Sequence, residues 1–233
     1  MAAAGPAVAA SVARPAEAAR RRMPAPAAPA RGERAADAWA AAGWWVGAQA
    51  AASPNFDARP PGEALTLAVI HSISLPPGCF GGDAVERLFT NSLDCDAHPY
   101  YARLRGLRVS AHFLIRRDGR RLQFVGCEDR AWHAGASRWA GREGCNDWSV
   151  GIELEGLEGG RFTRAQYRSL RTLLVAITRR YPLAEVVGHE HVAPGRKADP
   201  GPGFDWAKLQ RMLSAHPALA ARAPWCWPGP AAA

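Results

Sequence analysis

Apolar positions along this chain recur with two periods, and each period predicts elements. The stretch "LTLAVIHSIS", Leu65 to Ser74, holds an unbroken apolar run of strand length. It predicts a central strand covered on both faces, ending at His71. "AHFLIRRDGRRLQFV" places two β-rich arms around Asp118 and Gly119, which predicts a hairpin. "WSVGIELEG" alternates so that Ile152 and Leu154 share one face while Glu153 points to the other. The period then changes: Tyr167, Leu170, Leu173, Leu174, Ile177 and Tyr181 form one stripe behind a capping box of Thr163 and Gln166, predicting a helix. "AEVVGHE" reads as a short strand ending at His189, and a last helix is expected from roughly Asp205 to Ser214. Interleaved strands and helices with one hairpin predict a mixed α/β fold, a single domain with a central mixed β-sheet flanked by helices.

Composition changes this picture at the two ends. The first 42 residues contain no Ile, Leu, Phe or Tyr and are nearly all Ala, Pro and Arg. Such a segment cannot bury enough apolar surface to offset its ordering entropy. Residues 1–37 are therefore expected to be a disordered tail, 38–215 the folded domain and 216–233 a flexible C-terminal tail. The arginines follow the alanines and no leucine-rich run exists, which is not the secretory pattern. A start at Met23 fits the same composition equally well. With no apolar run of ~18 residues either, the expectation is a cytoplasmic protein without membrane attachment.

Charge and cysteine content narrow the function classes further. Six arginines against three acids give the first 37 residues +3 of the net +8, and the remaining +5 is too modest to argue for a nucleic-acid partner. Cys79, Cys95, Cys127, Cys145 and Cys226 are odd in number and form no CxxC pair, so reduced cysteines are expected.

The candidate chemistry sits at strand ends and on one loop. Two histidines far apart in sequence, with a carboxylate nearby, can supply the three protein ligands of a catalytic zinc and leave a fourth position open. His71, His189 and Asp199 are the candidate ligands, although spacing alone leaves them open to being ordinary core or surface residues. The loop "GHEHVAPGRKADPGPGFDW" has no helical or strand periodicity and places Lys197 two residues before Asp199. A cation there can stabilise an oxyanion. Glu153, a lone acid among apolar neighbours, suits a general base if burial raises its pKa. The alternative is an acid facing solvent, which is the reading for Glu155.

Five stretches in order, "VIHSISLPPGCFGG", "LRVSAHFLIRRDGR", "RAWHAGAS", "CNDWSVGIELEG" and the loop above, resemble the AmpD-type amidases. These are zinc-dependent N-acetylmuramyl-L-alanine amidases that act on anhydro-muropeptides, and the likeness runs from about Trp44 to about Leu213. It implies a sheet of the peptidoglycan-recognition-protein and type 2 amidase kind and one Zn2+ per chain. The implied reaction is hydrolysis of the amide joining anhydro-muramic acid to L-alanine, with a soluble muropeptide as partner. By position it puts the ligands on His71, His189 and Asp199, and the catalytic pair on Glu153 and Lys197. It implies substrate contacts at Ser72, Arg108, Trp132 and His133, with Arg108 offering a guanidinium fork to peptide carboxylates. A core aromatic remains the alternative for Trp132. His112 reads as a structural or orienting histidine, and Asn146 as a turn residue near the cleft.

Departures from the family pattern carry their own expectations. Gly144 stands where a second peptide-binding arginine is usual, which weakens the grip on the stem peptide unless Arg142 or Arg138 compensates. Ser72 replaces an asparagine and reaches less far. His191 stands where Asp or Asn is common, and is expected to support the metal from outside its ligand shell. Two rival readings share the fold: a muropeptide-binding module without catalysis, and an amidase of intact peptidoglycan. The filled ligand and catalytic positions favour an enzyme.

Overall fold

The computed structural model describes residues 38–216 and Leu219. The expected tails, 1–37 and 216–233, lie outside these apart from His216 and Leu219, the latter buried against the core. The chain runs through β1 (Gln49–Ala50), β2 (Phe56–Ala58), β3 (Leu67–Ile73), α1 (Ala84–Phe89), α2 (Pro99–Ala102), β4 (Phe113–Ile115) and β5 (Arg121–Gln123). It continues through β6 (Asp129–Ala131), β7 (Arg138–Trp139), β8 (Arg142–Glu143), β9 (Ser149–Glu155), α3 (Arg164–Arg180), β10 (Glu185–Gly188), α4 (His189–Val192) and α5 (Trp206–Ser214).

The main sheet has the order β1-β5-β4-β9-β3-β10, parallel everywhere except the β4/β5 hairpin. Its central strands are buried on both faces because each face packs against something different. Ala68 and Ile70 of β3, Val150, Ile152 and Leu154 of β9, and Phe113 and Ile115 of β4 meet the stripe of α3, with Leu209 and Leu213 of α5 in the same cluster. Leu170, Leu173, Leu174 and Ile177 are fully buried there, each contributing about 1.5–3 kcal/mol of transfer free energy. The opposite face divides in two: Leu114, Leu122 and Phe124 lie under α1, while Leu67, Val69 and Val187 pack against Trp148 and Val192.

The expected elements recur with small changes at their ends. The capping box forms as expected, with Thr163 Oγ1 accepting from Gln166 N at 3.1 Å and Gln166 Oε1 accepting from Thr163 N at 3.0 Å. The expected last helix begins at Trp206, with Asp205 as its N-cap. The loop after β10 is not wholly irregular, since His189–Val192 make one helical turn.

Glu155 is the clearest departure. It does not face solvent but is 3% exposed, because the segment after β3 folds over this end of β9. Its carboxylate accepts from Arg116 Nη1 at 2.7 Å, Gly81 N at 2.6 Å and Arg117 N at 3.0 Å. Arg116 also reaches Glu86 on α1. A buried ion pair of this kind tolerates loss of neither partner, since the survivor is an uncompensated charge.

Thr163 joins α3 to the hairpin as well as capping it, because its hydroxyl donates to Arg117 O at 2.7 Å. Thr163→Ala is expected to destabilise the protein by about 1–2 kcal/mol, seen as a lower urea midpoint at unchanged m-value.

Candidate metal centre and cleft

Strand register assembles the site. β3 lies between two parallel neighbours, pairing Ile70 with Gly188 on one side and with Ile152 on the other. The next residue on each strand path is His71, His189 and Glu153, so three distant segments meet in one row. All three lie at or near the carboxyl ends of parallel strands, where open α/β sheets place their ligands. Strand alternation supplies the facing: Ile70 before His71, and Ile152 and Leu154 on either side of Glu153, feed the α3 core, which directs these two side chains to the opposite face.

Asp199 completes the group from the loop after α4. His71 Nδ1 lies 2.9 Å from His189 Nδ1, and each of these nitrogens lies 3.2 Å from Asp199 Oδ2. The ligand atoms of the three residues fall within 4.8 Å of one another. Two imidazoles and one carboxylate converging in this way suit a divalent transition-metal ion. The far nitrogens are also engaged: His71 Nε2 meets His133 Nδ1 at 3.0 Å, and His189 Nε2 meets Ala134 O at 3.2 Å.

The electrostatics fit such an ion. Burial pushes His71 down to about 4, so the ring is neutral and its lone pair available at ordinary pH. Burial by itself would raise Asp199, but hydrogen bonds from His189 and His71 hold it well below the carboxylate range. Glu153 stands well above that range, because it is buried and near the negative charge of Asp199, with Lys197 opposing. Glu153 Oε2 is buried without a hydrogen-bond partner among the described residues. A cation among the ligands would act on this carboxyl in the opposite sense. Lys197 is exposed on the loop and lines the same cleft.

That cleft has a volume of about 1140 Å³ and is bordered by His71, Glu153, His189, Lys197 and Asp199. Ser72, Arg108, Trp132 and His133 line it as well, so all nine expected site residues meet in one space. Residues 61–202 match the N-acetylmuramoyl-L-alanine amidase family. The chain belongs to that family. It is 51% identical over 174 residues to the 1,6-anhydro-N-acetylmuramyl-L-alanine amidase AmpD of Escherichia coli K12, covering 74% of this chain and 95% of that protein. The Haemophilus influenzae AmpD is 51% identical over 165 residues, with 70% and 88% covered. A crystal structure of a selenomethionine AmpD derivative superposes with a TM-score of 0.73 at 49% identity, covering 75% of this chain and 98% of the other.

Several details within this amidase fold were not legible as motifs. Arg59 is mostly buried and donates to Cys127 O, Asn146 O, Asp147 O and Ser149 O, stitching β9 to the turn before it. Asn146 Oδ1 accepts from both His133 N, at 3.3 Å, and Ala134 N, at 2.8 Å. Arg196 donates to Ala134 O and Ala136 O, bracing the Lys197 loop. Trp132 Nε1 donates to Asp57 Oδ1 at 3.2 Å, and Asp57 is itself paired with Arg130. Gly151 leaves room for the His133 ring: a Cβ there would lie 2.4 Å from its Cγ.

The amidase-family departures resolve unevenly. Gly144 adopts a left-handed φ of 68° and lies with Arg138 on a second, smaller depression away from the ligands. Arg142 is engaged by Glu63 and stacks over Trp148. Neither Arg138 nor Arg142 lines the main cleft, where Arg108 and Arg196 do. His191 is not in the ligand group; its Nδ1 accepts from Gly188 N at 2.8 Å and its ring packs against Trp206. Among the described residues Cys79, Cys95, Cys127 and Cys145 form no disulfide, and no helix is long and apolar enough to cross a membrane. Cys226 lies outside the described residues.

His112 is fully buried, with Nδ1 accepting from Gly151 N and Nε2 placed to donate to Asp129 O. Burial, then the charge of Arg59, pushes it down to about 3. The unfolded chain therefore takes up this proton first as pH falls from about 6.5, so folded-state stability falls with it. His112→Asn keeps an acceptor for Gly151 but cannot titrate. Urea titrations from pH 6.5 to 4 are expected to show a pH slope smaller by up to roughly 1.4 kcal/mol per unit in the variant.

Proposed function

We propose that this chain is a zinc-dependent 1,6-anhydro-N-acetylmuramyl-L-alanine amidase of peptidoglycan recycling, working in the cytoplasm on soluble muropeptides. The observation that carries this reading is the convergence of His71, His189 and Asp199 in the cleft that holds the buried carboxyl of Glu153, whose Oε2 has no partner among the described residues. Half-identity to proteins named for this activity, over nearly their whole length, supports the substrate class.

Zinc held by the two imidazoles and the carboxylate would supply Lewis acidity toward water and toward the amide carbonyl. The chain's own groups do the rest. Glu153 accepts a proton from the attacking water and hands it to the nitrogen of the leaving L-alanine, so the carboxyl ends as it began. Lys197 donates to the carbonyl oxygen as it gains charge. Arg108, exposed at the cleft wall, pairs with a carboxylate of the stem peptide. Trp132, tethered through Asp57, offers an apolar ring to a sugar face. Ser72 Oγ is buried without a partner among the described residues, and a substrate polar group would satisfy it.

The deciding experiment digests soluble anhydro-muropeptide and intact sacculi in parallel, with products read by mass spectrometry. Release of the stem peptide from the soluble compound is expected, with sacculi largely untouched, and with activity lost on chelation and restored by zinc. Equal release from sacculi would sink the recycling assignment. In the same assay Glu153→Gln is expected to lower kcat by about 10²–10⁴-fold while zinc content stays at the wild-type level; full activity in that variant would remove Glu153 from its role.

A further inference from the structure

We infer that Asn146 is the positioning residue of the metal centre: one amide oxygen holds the two-residue segment, His133–Ala134, that orients both ligating imidazoles. The inference rests on the reading of His71, His189 and Asp199 as ligands and asks what holds the first two in place.

The argument starts at the far nitrogens. A backbone carbonyl can only accept, so the contact between His189 Nε2 and Ala134 O places the proton on Nε2. Nδ1 of the neutral ring is then the bare nitrogen, and it faces His71 and Asp199. His71 presents Nδ1 to the same point when its Nε2 donates to His133 Nδ1. Partners of this kind fix tautomer and ring angle in metal sites, and losing them typically weakens metal binding.

The two acceptors, the His133 ring nitrogen and the Ala134 carbonyl, belong to consecutive residues, so one stretch of backbone places both. Their amide hydrogens both point to Asn146 Oδ1, at 3.3 Å from His133 N and 2.8 Å from Ala134 N. Asn146 is in turn fixed relative to the sheet. It sits in the 3-10 turn Cys145–Asp147 that leads into β9, and its carbonyl accepts from Arg59 Nη1 at 3.1 Å. Arg59 also donates to Ser149 O, the first residue of β9, at 2.7 Å. The strand carrying Glu153 thus sets the position of the clamp, and the clamp sets the angle of both rings. His133 is held independently from below, where Gly151 gives it space and Ser149 Oγ lies 3.2 Å from its Nε2.

The test measures zinc affinity of the full chain by competition with a fluorescent chelator, alongside the melting temperature of the zinc-free protein. Asn146→Ala removes the acceptor and is expected to weaken zinc binding about 10–100-fold, while Asn146→Asp keeps an oxygen in place and stays within about threefold of wild type. Asn146→Ser, whose hydroxyl is too short to serve both amides, replaces the alanine variant if that one does not fold; it too is expected to lose about tenfold. A turn residue of purely structural importance would lower the zinc-free melting temperature and leave the affinity of folded protein unchanged. Undiminished affinity in the alanine or serine variant, or an equal loss in Asn146→Asp, overturns the inference. Absence of zinc binding by the wild-type chain would instead overturn the metal-site reading beneath it.

Discussion

The structure depends on one register. β3 is clasped between two parallel partners so that Ile70 faces both Gly188 and Ile152, and everything at the centre follows from advancing one residue along each path. A slip by one position would turn His71 toward α3 and bring Ile70 or Ser72 into the row. The α3 stripe prevents this, because it accepts Ala68 and Ile70 and would have to bury an imidazole in their place. The hydrophobic core therefore does more than stabilise the domain; it fixes the alignment of the polar row on the other side of the sheet.

That row is costly to build. Buried imidazoles and carboxyls lose hydration and need partners inside the protein. The structure meets most of this demand with backbone groups and with side chains that are themselves held, such as His133 over Gly151 and Asn146 at the start of β9. Among the described residues three buried side-chain atoms are left over, Trp148 Nε1, Glu153 Oε2 and Ser72 Oγ, and the last two residues border the cleft. Unpartnered polar atoms cluster where a ligand or substrate can complete them. The same burial, with the charge of Asp199 nearby, raises Glu153 well above the ordinary carboxylate range.

The periodicity of the chain was enough to read the sheet's mixed character, the α3 stripe with its cap, and the strand ends that carry His71 and His189. Those are local properties, set by residues within one or two turns of each other. Residue chemistry and family motifs pointed to the same candidate ligand and catalytic positions, and the register explains why those side chains meet. What stayed hidden is long-range and polar. Alternation along β9 told which face Glu155 occupies but not that Gly81, Arg116 and Arg117 would close over it. Arg59 lies in no quoted motif, and the motifs that hold Asn146 and Arg196 do not name their partners, which are mostly backbone carbonyls and amides more than ten residues away. His191, expected outside the ligand shell, lies outside the ligand group and bonds to the Gly188 backbone three residues earlier, a partner that the helical turn at His189–Val192 makes available.

Gly151 gives the sheet a window. Every other position on the β9 interior presents at least one carbon to its neighbours, whereas here the backbone surface is bare and an imidazole from another segment lies flush against it. A single methyl at that point would be felt at His133 and, through its Nδ1, at His71. The smallest change possible in the strand thus acts as a wedge beneath the candidate metal site, so this glycine is held by chemistry several ångströms away and not by any turn of its own chain.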